Sequence, residues 1–121
     1  MAGEALFLGW GQVVRGREQR ALEVFQESIA FYTKLQEEGR IDSFTPVLLA
    51  PHSGDLAGFV IMHGDQSSLD AVRSSPEFVR ILARAVSVVD HLGVVSAYTA
   101  EALGEQMGLF GELAGELPQA R

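Results

Sequence analysis

The chain has 121 residues, 47% of them apolar and 21% charged, which is the size and balance of one globular domain rather than a disordered or fibrous segment. A net charge of −7 disfavours nucleic acid and anionic membrane as partners, because both are gripped through clustered Lys and Arg. With no cysteine there is no disulfide, thiolate nucleophile or Cys-ligated metal, and the lack of a membrane-length apolar run or a cationic start at Met1-Ala2-Gly3-Glu4 points to a cytoplasmic protein.

Ala5 to Val14 reads as a strand, rich in Leu6, Phe7, Leu8, Trp10, Val13 and Val14, and Gly16 breaks it. The period then changes to that of a helix over Arg17 to Glu38. Leu22, Phe25, Ile29 and Tyr32 recur on one side, and Glu23, Gln26, Glu27, Lys34 and Glu37 fall on the other. Gly39 supplies the residue that commonly follows a helix end. Ile41 to Ala50 and Leu56 to Met62 are two β-like runs, and the turn-forming Pro51-His52-Ser53-Gly54-Asp55 between them predicts a hairpin. Asp65 to Ser68 offer caps for a short segment from Leu69 to Arg73.

Ser75 followed by Pro76 reads as an N-cap with proline at the first helical position. Phe78, Leu82, Ala85, Val89 and Leu92 continue that helix on its apolar side, with Glu77, Arg80, Arg84, Ser87 and His91 opposite. Gly93 ends it, and Val94 to Ala100 is a last strand. Beyond it, Leu103, Met107, Phe110 and Leu113 suggest a further amphipathic helix. Gly104, Gly108, Gly111 and Gly115 interrupt that segment, each weakening an isolated helix by about 1 kcal/mol, so it needs a surface to lean on.

The order β-α-β-β-α-β defines an α+β domain whose two main helices cover one face of a four-stranded antiparallel sheet, with a C-terminal helical extension. An open sheet face should alternate apolar and polar residues. Yet Leu56, Val60 and Met62 occupy one parity of their strand, and Ala57, Phe59 and Ile61 the other. Both faces want cover, which predicts a homodimer about a two-fold axis. Leu35-Gln36-Glu37-Glu38-Gly39-Arg40-Ile41 and Ser74-Ser75-Pro76-Glu77-Phe78, in this element order, resemble the ferredoxin-like dimeric α+β barrel superfamily over about residues 5 to 101. Small stand-alone members, YCII-related or of the antibiotic-biosynthesis-monooxygenase type, are the most similar. The chain departs from YCII-related proteins in having Ser75 before Pro76 and no His between Arg17 and Glu38, so the His and Asp pair of that group is missing. Val72 and Leu82 stand near the Trp and axial His of haem-degrading members, which argues against haem.

Three histidines are scattered along the chain. His63 and Asp65 form the sharpest candidate acid–base pair, since a carboxylate beside an imidazole fixes its tautomer; the competing assignment is that they cap a strand-to-helix loop. His52 reads as a turn residue and His91 as a solvated helix residue. No spacing of His, Asp or Glu resembles a metal site, and no cofactor motif is present. Trp10, Phe59, Met62 and Tyr98 are expected to line an apolar pocket between the sheets of the two subunits, with Gln12 or Arg15 orienting a ligand; the competing assignment is packing within the dimer. These residues imply a dimeric barrel that holds a small apolar or aromatic ligand. The alternatives are a cofactor-independent oxygenase or isomerase acting on an aromatic substrate, and a regulatory interaction module.

Overall fold

A computed structural model describes residues 3–117. The elements are β1 (Glu4–Trp10), α1 (Glu18–Glu37), β2 (Ser43–Leu48), β3 (Gly58–His63), α2 (Gln66–Arg73), α3 (Pro76–Val86), β4 (Gly93–Tyr98) and α4 (Ala100–Gly115). Every strand and helix expected from the sequence is present, and the sheet runs β2-β3-β1-β4 with all pairs antiparallel. The hairpin joins β2 to β3. Pro46 sits in β2, an edge strand, where a missing backbone donor is tolerated.

Register decides which side chains share a face. Leu6 pairs with Met62 and Leu8 with Val60, and these four meet Tyr32 and Leu35 of α1, Leu69 and Val72 of α2 and Phe78 of α3 in one buried core. Burial of each such side chain contributes roughly 1.5–3 kcal/mol. The opposite parity carries Phe7, Phe59, Ile61 and Val95 and lies away from that core. On it Phe7 and Phe59 stack with ring centroids 5.2 Å apart, and Val95 is more than half exposed.

Two expected boundaries are corrected. β1 ends at Trp10 rather than Val14, and the second main helix, α3, ends at Val86 rather than near Leu92. One cause accounts for both. Residues 11–14 leave the sheet and pair instead with 88–90, through Gly11 N–H to Asp90 O (2.7 Å), Asp90 N–H to Gln12 O (2.9 Å) and Val14 N–H to Val88 O (2.8 Å). The β-branched Val88 and Val89 are thus drawn from the helix into an extended ribbon, which the helical spacing of Val89 and Leu92 does not reveal. His91 is accordingly not on a helix but in the turn before β4, with φ of 56°.

The caps behave as the sequence implies. Ser75 accepts from the Phe78 N–H (3.4 Å) with Pro76 opening α3, and Asp65 caps α2. α4 is a formed helix of 16 residues despite its glycines.

Candidate functional site

An apolar cavity of about 290 Å³ lies between the helical layer and the sheet, near the end of β1. It exists because of how α1 and α3 meet. The α1 stripe Leu22, Phe25, Ile29 and Tyr32 faces Ile81, Leu82 and Ala85 of α3, while Leu8, Trp10, Leu48 and Val60 rise from the sheet. Ala21 and Ala85 leave room that larger side chains would fill. Val88 and Val89, pulled out of the helix by the ribbon, close one side. The volume is at the lower end of the roughly 300–1,000 Å³ typical of small-molecule sites.

Trp10 forms one wall, its ring edge-on to Phe25 with centroids 6.0 Å apart. Its partner on β3 is Gly58, and the indole occupies the space that a Gly58 side chain would need. The rim is apolar as well: Val13, Leu22 and Leu48 are 40–69% exposed.

Polar groups in the lining are few. Ser28 donates to the Val24 carbonyl at 2.7 Å and hydrogen-bonds the Tyr32 hydroxyl. Burial pushes the Tyr32 phenol well above its ordinary value, with the Ser28 bond pulling weakly the other way. Tyr32 therefore stays protonated at neutral pH. Glu18 stands at the mouth, and both its carboxylate oxygens lie 3.1 Å from the Gly16 N–H. Such a lining favours an uncharged, mostly apolar molecule carrying a single hydrogen-bonding group. Among the described residues no cluster of His, Asp or Glu could hold a metal ion.

Of the expected pocket residues only Trp10 lines this cavity. This cavity is on the helix side of the sheet, whereas the expected one was placed between the sheets of two subunits, and the strand register distributes the expected residues over both faces. Met62 is fully buried in the core, and Phe59 is on the opposite face against Phe7. Tyr98 is at the end of edge strand β4 and 43% exposed. Gln12 and Arg15 are exposed, Gln12 using its backbone carbonyl in the ribbon. His63 and Asp65 lie at the far end of β3 and the start of α2, outside the lining. The Asp65 carboxylate accepts from the Ser68 N–H (2.8 Å) and the Ser67 hydroxyl (3.3 Å), and the first of these holds it below the usual carboxylate range. That is the capping role. Ser28 and Tyr32 were missed because Tyr32 reads from its spacing as core; the one signal was Ser28 one turn before it on the same helix face.

No protein-family model and no curated protein matches the chain. Solved structures do. A DABB family protein with a ferredoxin-like fold from Mesorhizobium loti superposes with a TM-score of 0.63 at 11% identity, covering 81% of this chain and 98% of the other. The chain has a ferredoxin-like fold. A dimeric ferredoxin-like protein of unknown function from Jannaschia gives a TM-score of 0.62 at 17% identity, over 80% of this chain and all of that one. A cofactor-independent oxygenase from Streptomyces nogalater gives 0.53 at 20% identity, over 82% and 97%. Each ferredoxin-like neighbour is covered nearly whole, while about a fifth of this chain lies outside the match.

Proposed function

We propose that the protein is a homodimer in which each subunit holds a small, uncharged apolar or aromatic ligand in the cavity between α1, α3 and the sheet. The cavity carries the reading: it is lined almost wholly by carbon, and Ser28 and Tyr32 supply its one inner polar pair. The dimer is supported by the apolar parity of Phe7, Phe59, Ile61 and Val95, which the core leaves out, and by the dimeric neighbours of the same fold.

Trp10 is the only tryptophan and a wall of the cavity, so its fluorescence reports occupancy directly. Titration with a panel of small aromatic alcohols and ketones should change Trp10 emission and raise the melting temperature by mass action. Ala85→Leu, which fills the cavity from α3, should remove both responses while the protein stays folded. A panel that leaves emission and melting temperature unmoved in the wild type overturns the reading.

A second reading is cofactor-independent oxygenation of such a ligand, favoured by the likeness to the Streptomyces oxygenase. Oxygen consumption with a bound aromatic phenol tests it. His63 and Asp65 remain the acid–base candidates from the sequence, and because they stand outside the cavity, His63→Ala should leave ligand binding intact. Full turnover in that variant removes His63 from the chemistry.

A further inference from the structure

The cavity is polar at its closed end and apolar at its mouth, and that order decides which end of a ligand goes in first. Along α1 the lining passes from Leu22, 50% exposed, through the partly buried Phe25 and Ile29 to Tyr32, 1% exposed. The closed end is therefore at Tyr32, with Ser28 one turn before it, and the opening is at the first turns of the helix. The side chains that meet water there are Val13, Leu22 and Leu48, and the charged group beside them, Glu18, is turned back onto the Gly16 N–H.

A ligand bound tail-first would leave its polar head among Val13, Leu22 and Leu48 and set bare carbon against the Ser28 and Tyr32 hydroxyls, a mismatch at both ends. Bound oxygen-first, it meets the inner hydroxyls and covers the exposed rim with hydrocarbon. The Ser28 proton is committed to the Val24 carbonyl at 2.7 Å, so the Ser28 oxygen is left to accept, and the group that matches it is an O–H. An ionised head is excluded from the closed end, because burying an unpaired charge costs far more than one hydrogen bond offsets.

Length and volume then set the shape of the tail. Glu18 and Ser28 are ten residues apart on α1, about 15 Å along its axis. An extended hydrocarbon advances about 1.25 Å per carbon, from a bond of about 1.5 Å at a near-tetrahedral angle, so about twelve carbons span that distance. The volume of about 290 Å³ holds about ten methylene groups, each close to the roughly 30 Å³ of a water molecule. The two figures agree for a ligand one chain wide. A fused-ring ligand of the same volume is shorter and leaves one end of the cavity empty.

We infer that the cavity takes a straight-chain alcohol of about ten carbons, its hydroxyl at Ser28 and Tyr32 and its tail running out along α1 to Leu22 and Leu48. This rests on the cavity reading above and names the ligand class within it.

Titration of the full chain with the normal primary alcohols from pentanol to tetradecanol, followed by Trp10 emission and melting temperature, tests the length. Decanoate at pH 8 and the variant Ser28→Ala test the orientation. Affinity should rise about fourfold with each added carbon up to about ten and level off beyond, where further carbons pass Leu22 and Leu48 into water. Ser28→Ala should weaken every alcohol by a common factor of about five, and decanoate should not bind. Affinity that climbs without a break to tetradecanol, an equal affinity for decanoate, or a Ser28→Ala protein that binds as tightly as the wild type overturns the inference. Aromatic alcohols that bind where the straight-chain series is silent overturn it and leave the cavity reading standing, whereas silence from both series overturns the two together.

Discussion

Gly58→Ala is the sharpest probe of how the cavity wall is built. A Cβ at this position would sit 2.7 Å from Trp10 Cζ2 and 2.8 Å from the Val47 carbonyl oxygen, against an ordinary separation of about 3.5–4.0 Å. The carbonyl has little freedom to retreat, since β2 is paired to β3 at Val47 with Phe59 and Leu48 with Gly58. The indole can retreat into the cavity it lines. Over-packing of this kind costs about 1–3 kcal/mol, offset by up to about 1 kcal/mol from the lower backbone entropy of alanine in the unfolded chain. The net loss of about 1–2 kcal/mol should lower the melting temperature by roughly 4–10 °C. Trp10 emission should shift as its surroundings change, and ligand affinity should fall with the lost volume. Thermal unfolding followed by circular dichroism, together with emission spectra, provides the measurement. In a Trp10→Leu background the same substitution should cost less, the remainder being the clash with Val47. A Gly58→Ala protein as stable as the wild type with unaltered emission would refute the packing described for Trp10.

The folded-state value of Tyr32 lies above its unfolded value of about 10, so the neutral phenol supports the fold below that pH, and this contribution is lost as pH rises past it. Urea midpoints from pH 8 to 11 should therefore fall more steeply for the wild type than for Tyr32→Phe. Equal slopes would mean that Tyr32 ionises freely in the folded protein. Ser75, 8% exposed, accepts from the Phe78 N–H and donates to the Val72 carbonyl at 2.7 Å. Ser75→Ala should cost about 1–2 kcal/mol in chemical denaturation and Ser75→Thr clearly less, while an alanine variant as stable as the wild type would remove the cap from the account of α3.

Element order, the long α1 helix, the β2–β3 hairpin and the Ser75-Pro76 start of α3 were legible in the residues, because each depends on local chemistry: a repeat of 3.6, a turn-rich linker, a cap followed by proline. The apolar content of both strand parities likewise announced a sheet with two faces to cover. What the sequence did not disclose depends on which parity met the helices. Trp10, Met62 and Phe59 all read as apolar strand residues, yet register sends the first two toward the helices and the third to the opposite face, so the three do not share one wall. The cavity itself arises from Ala21 on one helix, Ala85 on another and a ribbon that pulls Val88 and Val89 out of α3, residues far apart in the chain. Local pattern decides what each segment becomes; only the packing of segments decides where the space between them is left, because that depends on distances no linear spacing contains.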